Sequence, residues 1–400
     1  MSTLALSLRY LASRPLQALL NLLLLTLGLA SVTFVVVTST QVSRAFERDL
    51  AGIDVVVGAK GSPLQLILAG VFHIDVPAGN VPLADIQALQ RHPQVARLIP
   101  LSLGDSLRGW RIVGTTPDFL SHYRLMPAQG RAWQQPLEAV LGAQAARATG
   151  LVPGQAFVGN HGLGGGGHAH GDTPYRVVGV LETCGCAADR LILTSLESVW
   201  QVHEKAIAVD EDDRKALEAE REVTMALITY RSPLAAVTFP RMVNSSTPMQ
   251  AAAPAVEVTR LLRLLGVGAE VLQGLGAVLL ATAGLSVFIA LWSAVRERRA
   301  DLAMLRMLGA TPFQVGALLV CEALWLAVAA TVLGLLAGHG LTALVGSVLA
   351  GQQSLPISGW TWVAQEAWIP VAALGVALLA ALVPAVSAYR VDVAALLNSR

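Results

Sequence analysis

The 400-residue chain is poor in charge: Asp, Glu, Lys and Arg make up 14% of it, against about one quarter in a soluble domain. Neither sign dominates, with 28 Lys and Arg against 27 Asp and Glu; a net charge of +1 supplies no basic excess for phosphates and argues against nucleic acid as a partner. Cysteine is scarce, and the odd set Cys184, Cys186 and Cys321 is too small to frame a disulfide-stapled secreted fold. No Gly-x4-Gly-Lys-[Ser/Thr] occurs, and the run from Gly162 to Gly167 has no lysine nearby to reach a phosphate, so the chain carries no ATP-hydrolysing motor. The serines near His122 and His203 lack any supporting triad pattern, and no catalytic residue is expected. What abounds is apolar: 54% of residues are hydrophobic and the mean hydropathy is +0.58, too rich for disorder and pointing to an integral membrane protein.

Four runs are long enough to cross a bilayer. No charge falls between Arg14 and Arg44, and Leu16 to Val37 as a helix spans roughly 33 Å, giving a first span over 16–38. The others cover 271–295, 313–337 and 367–389, the third containing one acid, Glu322. The first core exceeds the roughly 7–15 residues of a signal peptide and lacks a clean small-x-small site, so a retained span is expected. Arg9 and Arg14 precede it, Arg296, Arg298, Arg299 and Arg306 lie between spans two and three, and Arg390 and Arg400 follow span four. From Gly340 to Gln365 there is no Lys or Arg. The positive-inside rule then puts residues 1–15, 296–312 and 390–400 in the cytoplasm, with 39–270 and 338–366 outside. Arg44 and Arg48 run against this, but a large domain translocates largely regardless of its charge.

Residues 39–253 read as a folded α/β domain. Strand-like stretches run from Asp54 to Val57, Ala96 to Leu101, Trp110 to Val113 and Tyr175 to Leu181. Helices are expected from Leu83 to Arg91 and from Leu137 to Ala148. The charge-dense stretch from Glu204 to Glu222 reads as a solvated insertion. After Pro254 the apolar pattern of Val256, Leu261, Leu262, Leu265 and Val267 runs into span two, predicting a stalk helix over 254–270, matched by Gln41 to Leu50 after span one. The expected fold is thus an α-helical membrane protein with four transmembrane helices, one plus three, and a large α/β extracytoplasmic domain between the first two.

The most informative stretch is Arg296-Glu-Arg-Arg-Ala-Asp-Leu-Ala-Met-Leu-Arg-Met-Leu-Gly-Ala-Thr-Pro312. Leu302, Leu305 and Leu308 recur at helical spacing while Arg298, Arg299, Asp301 and Arg306 lie mainly elsewhere, and Gly309 can end the helix as a C′ residue. Such an amphipathic helix suits docking into a partner's groove; a plain interfacial re-entry loop would read the same way.

The pattern Glu-Arg-Arg-x-Asp-Leu-x-x-Leu-Arg-x-Leu-Gly-Ala from Glu297 to Ala310 resembles the signature of the MacB/FtsX/LolC group of ABC-transporter permeases. Leu8-Arg-Tyr-Leu-Ala-Ser-Arg-Pro-Leu16 looks like that family's amino-terminal interfacial helix. Glu138 to Gly154, and Tyr175-Arg-Val-Val-Gly-Val-Leu181 followed by Asp189, are similar to its periplasmic core domain. The resemblance covers most of the chain. It implies a bacterial inner-membrane permease without catalytic activity, working as a homodimer or heterodimer among membrane lipid, with ATP and Mg²⁺ handled by a separate ABC ATPase. Motion would pass through stalk helices to the periplasmic domain and any periplasmic protein partner. Carried over by position, Glu297, Arg298, Arg299, Asp301 and Arg306 contact the ATPase, with Leu302, Leu305 and Leu308 seating the helix and Gly309 ending it; the leucines read equally as membrane-surface anchors.

Three further features stand apart. His161, His168, His170 and Asp172 crowd a glycine-rich stretch, a ligand set suited to Zn²⁺, with Cys184 and Cys186 following the next strand; a hairpin tip with incidental histidines is the alternative. For Cys184-Gly-Cys186, which has no counterpart in the family pattern, metal ligation, a local disulfide and chance stay open. Glu322 is costly in lipid and is expected to face the bundle or a dimer seam, or to snorkel, in a structural role. The leading expectation is a MacB-like permease acting on a lipoprotein, peptide, hydrophobic compound or metal-linked cargo. The alternatives are an FtsX-like activator of a cell-wall hydrolase and a membrane-anchored periplasmic metal sensor.

Overall fold

The computed structural model describes residues 3–162, 173–207, 212–213, 217–218, 220–351 and 357–390. The chain forms two compact units, Met1–Val42 with Leu264–Arg400, and Ser43–Arg263.

The first unit is helical. Among the described residues, four helices are long and apolar enough to cross a membrane: Pro15–Leu50, Glu270–Glu297, Pro312–Leu349 and Ala364–Tyr389. Proline opens three of the long helices, Pro15–Leu50, Pro254–Glu297 and Pro312–Gly351, at the position where its missing N–H would have no helical partner anyway. Their shared core combines large residues such as Leu25, Leu29, Leu291 and Leu326 with small ones such as Ala327, Ala373, Ala377 and Ala381. Small residues matter because apolar helices in an apolar medium gain by close packing rather than by burial. Gly334 and Gly338, one helical turn apart, face Leu29 and Thr33 on Pro15–Leu50; a Cβ on Gly334 would lie 2.6 Å from Leu29 Cβ, and one on Gly338 2.5 Å from Thr33 Cβ. At one end of this unit His339 bridges the Gly359 carbonyl and the Glu366 carboxylate, each at 2.8 Å. There too the Gln41 side chain exchanges two hydrogen bonds with the Ser358 backbone, each of 2.9 Å.

The second unit is built on a mixed sheet. Its strands run in the order Met249–Ala252, Val55–Ala59, Met225–Tyr230, Val95–Leu107, Trp110–Thr115, Ile192–Ser195, Glu138–Leu141, Tyr175–Leu181 and Pro127–Gly130. The pairs Ile192–Ser195 with Trp110–Thr115 and Glu138–Leu141 with Tyr175–Leu181 are parallel; the other neighbours on this path are antiparallel. The short strand Asn160–His161 pairs off-path with Val95–Leu107. Apolar residues line both faces: Val55, Ile228, Leu98, Ile112, Ile192 and Leu141 share one by register, and Val56, Leu227, Ile99, Val113, Leu193 and Val140 share the other, all of them buried.

One expected helix is not continuous. The stretch from Leu137 to Ala148 is a strand, Glu138–Leu141, followed by a helix, Ala143–Thr149. Ala139, Val140 and Leu141 are fully buried between two other strands, and a short run buried on both faces carries neither a strand's nor a helix's period.

His73 is half-buried with its Nδ1 shielded from solvent, and its φ of 55° lies in the left-handed region. Burial first, then the Arg111 and Arg190 charges, hold its imidazole well below the usual value. The folded state therefore resists a proton that the unfolded chain accepts at about pH 6.5. The stability this confers is full above that pH and is lost as the pH falls below it. Thermal unfolding is expected to show a lower midpoint at about pH 5 than at about pH 7, and His73→Asn, which tolerates the left-handed conformation, should flatten that slope. Within the helical unit, Gly338→Ala should cost about 1–3 kcal/mol by overpacking, whereas Gly340→Ala, with open space around it in the same helix, should hold the midpoint or raise it.

Candidate functional site

The turn between the second and third long helices carries the helix Arg299–Met307. Gly309, with φ 99°, ends it as the sequence predicts: Gly309 N–H donates to Arg306 O at 3.1 Å and Ala310 N–H to Leu305 O at 3.0 Å. Leu302 and Ala303 are buried, Leu302 within the core of the helical unit, and Leu305 is partly buried against the same core. Leu308, expected on the same seating face, is instead 83% exposed. The exposed apolar side chains are Met304 at 53%, Met307 at 55% and Leu308. Positions 304, 307 and 308 follow the i, i+3, i+4 rule and so share one helix face, but leucine and methionine are alike in hydrophobicity, and the sequence does not say which apolar face turns inward. Arg299 and Asp301 are also exposed, while Arg306 is half-buried.

Two of the charged residues expected to reach outward are engaged within the chain. Arg14 and Glu297 form an ion pair. Arg298 lies 3.6 Å from Glu322 Oε1, both side chains nearly withdrawn from solvent. The guanidinium also stacks over Tyr10, 4.4 Å from the ring centroid, and donates to Ser13 Oγ at 3.2 Å and to Tyr10 O at 3.5 Å. A cavity of about 40 Å³, roomy enough for ordered water, is lined by Tyr10, Arg14, Asn21, Arg298 and Glu322. Glu322 thus faces the interior of the helical unit, tied to the start of the loop helix.

In the α/β unit, Cys184 and Cys186 are joined by a disulfide, so neither offers a thiolate to a metal. The Asp189 carboxylate accepts the Cys184 N–H at 2.9 Å and the Gly185 N–H at 2.7 Å, and Asp49 accepts the Ala187 N–H at 3.0 Å, which fixes this turn. His168, His170 and Asp172 lie outside the described residues. His161 does not stand alone: Asp105 and His203, which sequence reasoning did not select, converge on it. Beside them opens a cleft of about 760 Å³, lined among others by Leu103, Trp200, Glu204 and Arg221. Arg221 donates to Glu204 at 2.7 Å and covers the Trp200 ring at 4.9 Å.

Among the described residues, apolar helices follow a one-plus-three order, with an α/β unit after the first and a short charged helix between the second and third, the class of a membrane-protein chain carrying a large folded insert. A family model for the MacB-like periplasmic core domain matches residues 18–226, and one for the FtsX-like permease C-terminal region matches residues 274–393. The chain belongs to the MacB/FtsX-type permease family, whose members are generally non-catalytic subunits of ABC transporters and work with an ABC ATPase. No curated protein matches the chain. Among solved structures, the periplasmic region of MacB from Actinobacillus actinomycetemcomitans is 12% identical, over 53% of this chain and 95% of that one, at a TM-score of 0.35. The extracellular domain of the noncanonical ABC-type transporter YknZ from Gram-positive bacteria is 10% identical, over 49% and 98%, at 0.30. A permease-protein domain from Porphyromonas gingivalis is 14% identical, over 51% and 88%, at 0.29. The assignment rests on the two family matches.

Removing one partner of a nearly buried ion pair leaves the other uncompensated. Arg298→Ala is expected to destabilise the helical unit by about 3–5 kcal/mol, while the double variant Arg298→Met with Glu322→Leu should recover most of that loss. Thermal unfolding of the purified protein in detergent checks both.

Proposed function

We propose that this chain is the permease subunit of a MacB-like ABC system that couples ATP hydrolysis in a separate subunit to work on cargo in the periplasm. In this reading the four apolar helices cross the bacterial inner membrane, with both termini and the helix Arg299–Met307 cytoplasmic and the α/β unit periplasmic. The charge pattern supports it: arginines cluster at positions 296, 298, 299 and 306, and none lies between Gly340 and Gln365. ATP and Mg²⁺ belong to the partner, and a second permease copy completes the assembly. The cargo in this reading is a lipoprotein, a peptide, a hydrophobic compound or a metal-linked species, and the cleft of about 760 Å³ in the outer unit has the volume to hold a small molecule or one short segment of a larger cargo.

The observation that carries the reading is the apolar stripe of Met304, Met307 and Leu308, held outward because Leu302 on the opposite side is committed to the core, with Leu305 packed partly against it. An exposed methionine-rich stripe on a short amphipathic helix fits a hydrophobic groove on a partner. Arg299 and Asp301 flank it as charged contacts. Glu297 and Arg298, held by Arg14 and Glu322, position the helix.

Affinity purification of the full-length protein from its native membrane, with mass spectrometry of what stays bound, is the test. A near-stoichiometric ABC ATPase is expected with the wild type. Met304→Asp combined with Met307→Asp should lower its recovery at least tenfold, as expected from losing two buried apolar contacts, with an unchanged thermal midpoint. Leu302→Asp would not serve, because it places a charge in the core. An ATPase that never co-purifies, or one retained by the folded double variant, overturns the assignment.

A further inference from the structure

Asp105, His161 and His203 come from three separate elements, and regular backbone places each of them. Asp105 lies on the strand Val95–Leu107 and pairs across the ladder with His161 on Asn160–His161. Between Leu103 and Ser106 the longer strand slips register against Trp110–Thr115, an irregularity of the kind that re-aims a side chain. The His161 segment is fixed on its far side as well: Gly162 N–H donates to Gly104 O at 2.8 Å, and Ser106 Oγ donates to the Gly162 carbonyl. His203 projects from the helix Leu196–Ile207.

The three side chains meet at ligand-like spacing. His161 Nδ1 lies 3.2 Å from Asp105 Oδ1, and His203 Nε2 lies 3.7 Å from Asp105 Oδ2. The two imidazoles stand with centroids 4.8 Å apart, and one ligand atom from each residue falls within 4.8 Å of the others. Around a zinc ion with bonds of about 2.0–2.1 Å, tetrahedral ligand atoms sit about 3.4 Å apart, so small side-chain rotations close the set. The Asp105 side chain is only 1% exposed, while those of His161 and His203 are 45% and 35% exposed. The carboxylate therefore forms the floor of the cluster and the imidazoles its rim, opening on the cleft that supplies an entry path.

We infer that Asp105, His161 and His203 form a binding site for a divalent transition-metal ion such as Zn²⁺. Two imidazoles with one carboxylate suit zinc and its neighbours rather than Ca²⁺ or Mg²⁺, which take oxygen ligands. Three protein ligands leave a coordination position open toward the cleft, available to water or to a donor atom of a cargo. The site uses His161 but not the paired Cys184 and Cys186. It goes beyond the permease reading and holds whether or not an ATPase docks.

The test uses the full-length protein in detergent, with a histidine-free affinity tag, stripped with chelator and titrated with Co²⁺ by visible ligand-field absorption and with Zn²⁺ by calorimetry. One ion per chain is expected. His203→Ala and Asp105→Asn should each weaken binding at least tenfold, the order of effect of disturbing a metal's ligand shell. Thermal unfolding of the metal-free proteins verifies the fold. If buried Asp105→Asn misfolds, the half-exposed His203→Ala, or His203→Gln in its place, carries the test. No binding to the wild type, or unchanged binding in a folded His203 variant, overturns the site. ATPase recovery from the same preparations reports separately on the permease reading.

Discussion

Arg298 and Glu322 decide where the loop helix sits. Two opposite charges 3.6 Å apart, each nearly withdrawn from water, tolerate each other's company and little else. Alone, either would carry a desolvation cost of several kcal/mol. The end of the helix Pro254–Glu297 is therefore held where the guanidinium reaches the carboxylate on Pro312–Gly351, and Tyr10 and Ser13 take up the remaining faces of that guanidinium. With the start of Arg299–Met307 fixed, helical geometry does the rest. Leu302 turns into the core and Leu305 packs partly against it, so Met304, Met307 and Leu308 turn out. The exposed apolar stripe thus follows from a charge pair withdrawn from solvent.

The α/β unit solves a different problem, that of bringing distant residues into a common place without long flexible loops. Its central strand Val95–Leu107 pairs with Met225–Tyr230 on one side and Trp110–Thr115 on the other, and also receives Asn160–His161. Asp105 sits where the ladder is irregular, which frees its carboxylate from the regular in-and-out alternation. The same unit closes the turn at Cys184 and Cys186 with a covalent bond and holds it by Asp189 and Asp49, taking those sulfurs out of competition for metal. Cluster and cleft are thus properties of the ladder, with side chains set on strands and a helix.

Much of this was legible in the sequence because it depends on local composition. The apolar runs 16–38, 271–295, 313–337 and 367–389 all lie within long helices, since a helix in apolar surroundings needs only enough apolar residues in a row. The strand Tyr175–Leu181 is rich in β-branched residues and appears with the bounds expected, and Gly309 ends its helix because the left-handed conformation suits glycine. The run from Leu137 to Ala148 was not legible, because burial on both sides erases periodicity. Nor was the outward face of the loop helix: leucine and methionine are alike in hydrophobicity, and which of them faces in depends on where Arg298 is anchored.

The sequence by itself determined the class of protein: scarce charge, four apolar runs, arginines gathered between the second and third, and the pattern from Glu297 to Ala310. These are properties of neighbouring residues, and neighbours in sequence remain neighbours in any fold. Tertiary structure alone decided that Glu322 answers Arg298, that Met304 and Met307 face out, and that His161 meets Asp105 and His203 rather than the cysteines. The sequence separations of 56 from residue 105 to 161 and 42 from 161 to 203 are bridged only by strand register and helix packing, which no local pattern encodes.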